Sequence, residues 1–391
     1  MDKFMIDGGR RLNGSVRIQS AKNSVLPLFA ASVLTDKRVT IRETPAISDA
    51  LCMAQILREL GAEVTFRGGD VIIDSSNAYS HEISSVLTKE LRSSVFMLGS
   101  LLTRFHRALI AYPGGCDIGL RPIDLHLNAL KRLGVEITER DGYILCKCDK
   151  LVGAEISLDF PSVGATENIM LAAVKAEGTT VLQGAAKEPE IVDLQNFLNA
   201  MGARVHGAGT DVIQIDGVKT LGGVCYRPIK DRIEAGTFLI ACAICGGEVE
   251  VSGVKAESMG IVLHKLRENG CKIHTNNDRI RIESSGRLKC NRRIETMPFP
   301  GFPTDLQAQV TALNATCEGC LLVAENLFET RFKYVPELQK MGADIEVKGR
   351  HAIVRGVKRL HGATLVAGDL RGVAALVLAA LGAEGVSEVH D

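Results

Sequence analysis

The sequence has no excess of charge and no long run of charged or apolar residues. Forty-six basic and forty-six acidic side chains cancel, and neither sign forms a run that would predict a nucleic-acid-binding tail or a membrane-surface patch. The longest apolar segments, near 235–247 and 372–383, are too short to cross a bilayer. Residues Met1 to Phe4 lack the apolar core of a signal peptide. We therefore expect a soluble cytoplasmic protein that binds neither nucleic acid nor a membrane.

The cysteines do not form a disulfide framework. There are eleven, an odd number, scattered over the chain, which is typical of reduced thiols in the cytosol. Two C-x-x-C pairs, Cys242/Cys245 and Cys317/Cys320, have the spacing of zinc ligands. In the internal repeat described next, however, Cys245 and Cys317 occupy a position that alanine fills in other copies, so they resemble small apolar core residues. We expect no metal.

The chain is long and it repeats itself. A chain of 391 residues exceeds what one hydrophobic core usually serves, so two domains are expected. A glycine between a helix and an alternating strand recurs at intervals of 73, 68, 68 and 72 residues, at Gly61, Gly134, Gly202, Gly270 and Gly342. Each unit of ~70 residues predicts two strands, a helix, a strand and a helix, and buries its apolar face against sister copies. With a partial copy at the start there are six units, grouped as three and three.

The sixth unit stops early in the repeat. Its last strand, Val386 to Val389, is followed by His390 and Asp391, where the other units continue into a helix. By the spacing of the repeat, one helix of about twenty residues is missing. An apolar face left uncovered would cost ~25 cal/mol per Å² exposed to water. We therefore expect a chain that is either truncated or weakened in turnover.

The start of the alanine-rich helix in each unit carries the candidate binding residues. A helix N-terminus attracts anions because it has free backbone N–H groups and the positive end of the helix dipole. Equivalent ends of repeated units are expected to point toward a common cleft. The cations at or near these junctions are Lys22, Arg92, Arg121, Arg232 and Arg371, and they predict a small polyanionic ligand. Taken singly, each fits a surface charge, and Asp231, Asp305 and Asp369 fit helix caps by residue type.

A loop rich in glycine and proline carries one thiol and one guanidinium. It extends from Tyr112 to Leu125 with the sequence Y-P-G-G-C-D-I-G-L-R-P-I-D-L, which suits neither helix nor strand interiors. Arg121 follows Cys116 by five residues, and a cation near a thiol raises the fraction present as thiolate. The local sequence fits a reactive cysteine in a mobile loop and an inert cysteine in a surface turn equally well.

Six groups of motifs extend over the chain and carry a resemblance. They are Ser20 to Asn23, Leu91 to Ser94, Pro113 to Cys116 with Arg121 to His126, Glu188 to Asp193, Phe302 to Asp305 with Gln307 to Gln309, and Asp369 to Arg371. These segments closely resemble those of the UDP-N-acetylglucosamine 1-carboxyvinyltransferases, a family of enolpyruvyl transferases. The P-G-G-C loop followed by R-P-I-D-L is the most specific part of the resemblance.

The resemblance implies a fold and a reaction. The fold is α/β, an inside-out α/β barrel in which two domains are built from the six units, with helices partly buried at the centre of each domain. One domain would hold residues 22–229, and the other residues 1–21 plus 230–391. The reaction implied is transfer of enolpyruvyl from phosphoenolpyruvate to the 3'-hydroxyl of UDP-N-acetylglucosamine with release of phosphate, the first committed step of bacterial peptidoglycan synthesis. No metal or organic cofactor is implied, because the enol is already activated.

The resemblance also implies roles for individual residues. Asp305 would be the general base that takes the proton of the 3'-hydroxyl, and Cys116 would be the general acid at C3 of the enol and the thiol that fosfomycin modifies. Lys22 is the third implied catalytic residue, and with Asn23 and Arg121 it would hold phosphoenolpyruvate. The other residues implied to contact the substrates are Arg92, Pro122, Ile123, Asp124, Leu125, Ser162, Val163, Arg232, Leu327, Arg331 and Arg371, together with Asp305 itself.

Two rival interpretations are open at this point. The 3-phosphoshikimate 1-carboxyvinyltransferases share the architecture and the reaction type, but that family lacks the P-G-G-C loop and has a different lysine motif. A truncated paralogue, weak or inactive in catalysis, would bind the nucleotide sugar without turning it over. A phosphate-release assay separates all three.

Overall fold

A computed structural model describes residues 3–114, 123–366 and 368–390. Within these ranges the chain forms two compact units. The first, called the Lys22 unit below, holds residues 19–114 and 123–229, and the second, called the Asp305 unit, holds residues 3–18, 230–366 and 368–390. Three of the predicted site residues, Cys116, Arg121 and Pro122, lie outside the described residues.

Helices, single strands and runs of two or three strands follow one another along the described chain. The α-helices are α1 (Lys22–Ala31), α2 (Ser48–Glu59), α3 (Ser85–Glu90), α4 (Met97–Phe105), α5 (Asp124–Arg132), α6 (Val163–Ala173), α7 (Pro189–Ala200), α8 (Arg232–Cys245), α9 (Gly260–Asn269), α10 (Gln307–Asn314), α11 (Val335–Lys340) and α12 (Leu370–Gly382). Short 3-10 helices span Ser32–Leu34, Arg92–Phe96, Ala256–Met259 and Thr304–Leu306. The strands are β1 (Lys3–Asp7), β2 (Leu12–Arg17), β3 (Val39–Ile41), β4 (Glu63–Arg67), β5 (Asp70–Asp74), β6 (Arg107–Ala111), β7 (Glu136–Arg140), β8 (Tyr143–Lys147), β9 (Glu155–Ser157), β10 (Thr179–Gln183), β11 (Arg204–His206), β12 (Val212–Asp216), β13 (Val224–Tyr226), β14 (Gly247–Ser252), β15 (Lys272–Asn276), β16 (Arg279–Ser284), β17 (Arg293–Glu295), β18 (Cys320–Ala324), β19 (Asp344–Lys348), β20 (His351–Arg355), β21 (Thr364–Val366) and β22 (Val386–His390).

The strands form three small sheets in each unit, and the six sheets share one pattern. The orders are β13-β3-β5-β4, β6-β8-β7 and β11-β12-β10-β9 in the Lys22 unit, and β15-β16-β14-β2, β17-β18-β20-β19 and β1-β22-β21 in the Asp305 unit. In the β14 sheet, for example, Val249 lies opposite Gly14 of the parallel neighbour β2 and opposite Ile282 of the antiparallel neighbour β16. In the β6 sheet the parallel neighbour is reduced to one bridge, between Glu82 and Leu109. The predicted repeat is thus present as a repeated sheet.

Alternating sequences explain which face of each sheet is buried. In β16, Ile280 and Ile282 are fully buried, whereas Arg279 and Arg281 between them are exposed. Successive side chains of a strand point to opposite faces, so this alternation fixes the register of the strand against the core.

The helices that begin at the repeated junctions form the centre of each unit. In the Lys22 unit, α1, α4 and α6 pack on one another, and in the Asp305 unit α8, α10 and α12 do the same. Every residue of α10 and every residue of α1 from Ser24 to Ala31 is buried. Residues 24–31 of α1 are mostly apolar, as expected for a helix enclosed by other elements, whereas α10 also buries the polar side chains of Gln307, Gln309 and Asn314. The predicted α/β fold of the inside-out type, with helices at the centre of each unit, is confirmed.

The repeat glycines have a conformational reason. Gly61, Gly134, Gly202, Gly270 and Gly342 all have φ between 92° and 105°. This backbone conformation strains any residue with a Cβ, so glycine is favoured where a helix ends and turns into a strand.

The described residues contain no cluster of three or more His, Cys, Asp or Glu side chains that could hold a metal ion. Cys242 and Cys317 lie in the core of the Asp305 unit, and Cys320 is exposed. No helix within the described ranges is long and apolar enough to cross a membrane.

Candidate functional site

Asp305 lies in the 3-10 turn that precedes α10. The N-cap residue is Pro303 for that turn and Leu306 for α10, so Asp305 is the N-cap of neither, and its interpretation as an ordinary helix cap is wrong. Asp305 Oδ1 instead accepts hydrogen bonds from Arg331 Nη2 at 2.8 Å and from Arg371 Nε at 3.1 Å. The side chain of Arg331 is only 4% exposed, whereas that of Asp305 is 29% exposed. One carboxylate therefore holds two guanidinium groups and remains partly open to solvent.

The arginines determine the ionisation of Asp305. Burial, the largest single effect, would raise the pKa of the carboxyl. The positive charges of Arg371 and Arg331, the hydrogen bond from Arg371, and the charge of Arg232 together outweigh burial and hold the pKa well below its usual range. Opposite charges close to a carboxyl favour the ionised form. Asp305 is consequently a carboxylate at neutral pH, and in this arrangement it is a weak base.

Arg331 is buried against the same turn. Its Nη2 lies 3.4 Å from the carbonyl oxygen of Thr304, and its guanidinium lies over the ring of Phe328, 5.4 Å from the ring centroid. The Nε of Arg331 is buried and has no hydrogen-bond partner among the described residues. A buried donor of a charged group is costly to leave unpaired.

Two other helix starts of the Asp305 unit are capped by aspartate. Asp369 Oδ1 accepts from the backbone N–H of Arg371 at 3.0 Å, and Asp231 Oδ1 accepts from the backbone N–H of Ile233 at 2.8 Å. The cap interpretation of these two aspartates is confirmed. Arg232 directly follows its cap and Arg371 lies two residues after its cap, so the starts of α8 and α12 bring both cations near Asp305. Three of the six junctions therefore meet within this unit.

Arg232 also lines a small cavity. Its guanidinium lies 5.5 Å from the centroid of the Phe299 ring, and the cavity of about 50 Å³ continues along Ser258, Val262 and Pro300. This volume has room for a few water molecules. It is too small for a nucleotide sugar.

Leu327 is held through its backbone. The N–H groups of Leu327 and Phe328 both donate to Glu325 Oε1, at 3.0 Å and 3.2 Å. Glu325 itself is fully buried. The predicted site residue Leu327 is half-buried next to this anchor.

Lys22 is the first residue of α1 in the other unit. No side chain caps this helix, whose N-cap is Ala21. Lys22 Nζ lies 2.8 Å from Asp49 Oδ2, and the two side chains are 27% and 33% exposed. Asn23 follows and is exposed. The start of α1 therefore presents an ammonium group and an amide to solvent, with Asp49 holding the ammonium in place.

A buried carboxylate, Asp193, accepts a hydrogen bond from the first turn of α1. Asp193 on α7 accepts hydrogen bonds from the Ser24 hydroxyl, from Tyr226 Oη at 2.6 Å and from the backbone N–H of Ile229 at 3.2 Å. Burial raises the pKa of Asp193, and these hydrogen bonds counteract part of the increase. Since Ser24 is two residues from Lys22, Asp193 fixes the first turn of α1.

Arg92 and Ser162 lie at two further helix starts of the Lys22 unit. Arg92 opens the 3-10 helix before α4, is half-buried, and its Nη1 lies 3.4 Å from the carbonyl oxygen of Gly114. Ser162 caps α6 by accepting from the N–H of Ala165 at 3.3 Å. Val163 follows and is half-buried.

The segment after the P-G-G-C loop starts α5. Ile123 is its buried N-cap residue, Asp124 is exposed, and Leu125 packs partly against the core of the unit. The preceding Cys116, Arg121 and Pro122 belong to the same predicted set and lie outside the described residues.

Glu167 is a buried acid in the core of the Lys22 unit. It is 1% exposed in α6, and within the described ranges neither of its carboxyl oxygens has a hydrogen-bond partner. Burial raises the pKa of Glu167 well above its ordinary value, and the negative charges of Glu190 and Glu188 add to the increase. The site of Glu167 therefore favours the protonated form of its carboxyl group.

The structure brings Asp305, Arg331 and Arg371 into one cluster, with Arg232 close enough to act on it electrostatically. Leu327 lies in the same unit as this cluster, and the Lys22 unit holds the remaining described members, Lys22, Asn23, Arg92, Ile123, Asp124, Leu125, Ser162 and Val163. Sequence reasoning assigned no role to three supporting carboxylates, Asp49, Asp193 and Glu325, although Asp193 ends one of the motifs that carry the resemblance. For Glu325 a signal was present, since an acidic residue directly follows the apolar strand C-L-L-V-A.

Comparison of the sequence and the fold with known proteins shows the class of enzyme to which the chain belongs. Residues 6–391 match the sequence profile of EPSP synthase (3-phosphoshikimate 1-carboxyvinyltransferase). The fold is shared with the enolpyruvyl transferase NikO from Streptomyces tendae, with a TM-score of 0.89 and 25% identity over 99% of this chain and 92% of that chain. It is also shared with EPSP synthase from Acinetobacter baumannii, with a TM-score of 0.77 and 18% identity over 99% and 94%. The fold and the profile define an enolpyruvyl transferase.

The curated relatives narrow the class. A UDP-N-acetylglucosamine 1-carboxyvinyltransferase 2 from Caldanaerobacter subterraneus subsp. tengcongensis is 51% identical over 390 residues, which cover 100% of this chain and 94% of the relative. The protein of the same name from Clostridium tetani is 47% identical over 393 residues, covering 100% and 94%. The chain belongs to the UDP-N-acetylglucosamine 1-carboxyvinyltransferase family, and the family predicted from its motifs is confirmed.

Proposed function

We propose that this protein transfers the enolpyruvyl group of phosphoenolpyruvate to the 3'-hydroxyl of UDP-N-acetylglucosamine and releases phosphate. The observation that carries the proposal is the full-length identity of 51% to a relative named for this activity. The reaction is the first committed step of peptidoglycan synthesis, so we propose that the protein acts in the cytoplasm. Through cell-wall biogenesis it would contribute to cell shape, the cell cycle and cell division.

Asp305 is the general base in this proposal. Its carboxylate would take the proton of the 3'-hydroxyl as that oxygen attacks C2 of the enol, and a general base works best when its pKa is near the working pH. The two arginines hold the pKa of Asp305 well below its usual range. Guanidinium groups also bind phosphate and carboxylate groups in a planar, bidentate manner. When Arg331 or Arg371 turns toward an anionic substrate, the carboxylate loses a positive neighbour and becomes a stronger base.

The unpaired donor of Arg331 supports this exchange. Because Arg331 Nε is buried without a partner among the described residues, a bound anion would supply the acceptor that this donor lacks. The substrates would thus activate the base that deprotonates one of them.

Lys22 and Asn23 hold phosphoenolpyruvate in this proposal, together with Arg121. Lys22 supplies an ammonium group at the start of α1, where a helix dipole also favours an anion, and its contact with Asp49 limits where that ammonium lies. The nucleotide-sugar contacts are proposed for Arg92, Pro122, Ile123, Asp124, Leu125, Ser162, Val163, Arg232, Asp305, Leu327, Arg331 and Arg371.

Cys116 completes the proposal as the general acid. As the 3'-oxygen bonds to C2, C3 of the enol takes a proton from the thiol, which gives a tetrahedral intermediate that still carries phosphate. C3 then loses a proton, the bond from C2 to the phosphate oxygen breaks, and the enolpyruvyl ether and inorganic phosphate leave. The same thiol is the proposed target of fosfomycin, an anionic epoxide.

A phosphate-release assay tests the proposal. Purified protein with phosphoenolpyruvate and UDP-N-acetylglucosamine should release phosphate, and the assay with either substrate omitted is the control. Release with shikimate 3-phosphate in place of the nucleotide sugar, or binding of the nucleotide sugar without release of phosphate, would contradict it.

A further inference from the structure

Glu325 is a buried carboxylate that holds several backbone segments at once. It directly follows β18 and is fully buried. Its Oε1 accepts hydrogen bonds from Thr296 Oγ1 at 2.8 Å and from the N–H groups of Leu327 and Phe328. Its Oε2 accepts from Thr304 Oγ1 at 2.9 Å. Four donors from three segments therefore converge on one side chain.

The arrangement is unusual for a residue that serves stability alone. The four donors are hydroxyl and backbone N–H groups, and no cation forms an ion pair with Glu325 within the described ranges. Moving a carboxylate out of water costs several kcal/mol even after relaxation, and apolar side chains often stabilise such a position equally well. A buried carboxyl group whose hydrogen-bond partners are all neutral is thus an expensive way to fill the core, and it fixes its partners strongly.

Two of the three segments that Glu325 fixes lead to groups at the candidate site. Thr304 immediately precedes Asp305, and the carbonyl oxygen of Thr304 also faces Arg331 Nη2. Phe328, anchored through its N–H, carries the ring under the Arg331 guanidinium. Leu327, whose N–H also donates to Glu325, directly precedes Phe328 in the sequence. The base and one of its two guanidinium partners are therefore both held through Glu325.

We propose that Glu325 is a positioning residue that sets the geometry of Asp305 and Arg331 by binding the Thr304 hydroxyl and the Leu327 and Phe328 N–H groups. This inference rests on the proposed function, with Asp305 as the general base. A displacement of a reacting group by ~1 Å can reduce the rate by ~10²-fold. Glu325 touches no substrate in this proposal and acts entirely through its neighbours.

The test uses two threonines that donate to the same carboxylate. Thr304→Val removes the hydroxyl beside Asp305, and Thr304→Ser keeps it. Thr296→Val is the matched control, because Thr296 donates to the other oxygen of the same carboxyl group, Glu325 Oε1, and also accepts from the N–H of Asn326 at 2.9 Å. The control thus loses more hydrogen bonds than Thr304→Val, while it leaves the residue that precedes the base unchanged.

We expect Thr304→Val to lower kcat by ~10- to 100-fold, with the KM for phosphoenolpyruvate changed less than kcat, and Thr304→Ser to restore most of the loss. Thr296→Val should lower the melting temperature at least as much as Thr304→Val and keep kcat near that of the wild type. The acidic limb of the kcat–pH profile should move to higher pH in Thr304→Val, because a displaced Asp305 loses part of the charge stabilisation from its arginines.

The results separate the inference from the function on which it rests. If the wild type releases no phosphate, both are overturned. If the wild type is active and Asp305→Asn is not, the inference alone is overturned when Thr304→Val and Thr296→Val lose kcat equally, or when the acidic limb stays in place. Glu325→Gln is a second variant that changes the same carboxyl group. It should shift the acidic limb of the kcat–pH profile in the same direction as Thr304→Val.

Discussion

Replacing Asp305 by asparagine should reduce both turnover and stability, for separate reasons. Asparagine keeps the size of the side chain but cannot take the proton of the 3'-hydroxyl, and one positioned general base contributes roughly 10²–10⁴-fold to a rate. We expect kcat to fall by that factor, with the affinity for the nucleotide sugar changed only modestly. Turnover near that of the wild type would refute the role of Asp305 as the base.

The stability effect follows from the burial of Arg331. Its side chain is 4% exposed and Asp305 is its ion-pair partner, so Asp305→Asn leaves a buried guanidinium without a counter-charge. Leaving a buried polar group of this kind poorly satisfied costs about 1–3 kcal/mol, and each kcal/mol lowers the melting temperature of a domain of this size by ~2–4 °C. Asp344→Asn is the matched control, because Asp344 also pairs with an arginine, Arg355, but both side chains are about half exposed. That change should have little effect.

The loss of stability should depend on pH with a definite sign. The native pKa of Asp305 lies below its ordinary value of 3.8, so its stabilisation is fully present above about pH 4 and is lost as the pH falls through the native pKa. Thermal unfolding of the wild type and of Asp305→Asn at pH 7 and at lower pH measures this difference. Inorganic phosphate should stabilise the variant more than the wild type, since it replaces the missing counter-charge. Equal melting temperatures at pH 7, or no differential effect of phosphate, would show that the arginines do not depend on Asp305.

Three further predictions concern other residues. Lys22→Ala should raise the KM for phosphoenolpyruvate by ~10-fold or more, whereas exposed Lys147→Ala, which loses only an exposed pair with Glu136, should leave it unchanged; steady-state phosphate release measures both, and equal KM values would exclude Lys22 from the substrate site. Cys116 should be the thiol that fosfomycin labels with the nucleotide sugar present, as found by intact-protein mass spectrometry and peptide mapping, and labelling at another cysteine would contradict the assignment. Glu167→Gln should gain stability relative to the wild type as the pH rises above 4.5, the ordinary pKa of a glutamate, because in that range the unfolded wild type ionises and the buried carboxyl group does not. The gain should reach up to about 1.4 kcal/mol per pH unit until the native pKa of Glu167 is reached. Denaturant unfolding from pH 4 to pH 8 measures the difference in stability, and a difference that does not change with pH would show that Glu167 is ionised in the native state.

The repeat could be predicted from sequence because its signals are local. A glycine with positive φ after a helix, followed by alternating apolar residues, specifies one β/α junction without reference to distant parts of the chain. Repetition of that signal gave the three-and-three arrangement of sheets. The helix starts at Lys22, Ser162, Asp231 and Asp369 were predictable for the same reason.

The contacts within the site could not be predicted, because they join residues far apart in sequence. Arg371 reaches Asp305 across 66 positions, and Arg331 reaches it across 26. Residue type alone made Asp305 a helix cap, yet these two partners take its carboxylate instead. Glu325 shows the same limit, since its donor Thr296 lies 29 positions away.

The pairing of β1 with β22 and of β2 with β14 determines when the Asp305 unit can be completed. All strands of the Lys22 unit lie between residues 19 and 229, so that unit has its full set of partners while the ribosome is still translating the rest. Residues 3–18 belong to the other unit. Their strands cannot pair until β14 and β22, which lie more than two hundred residues later in the chain, have been synthesised. Such long-range pairing slows folding and leaves strand edges exposed in the meantime. Strands β1 and β2 are therefore synthesised before the Lys22 unit but form their pairs only after it.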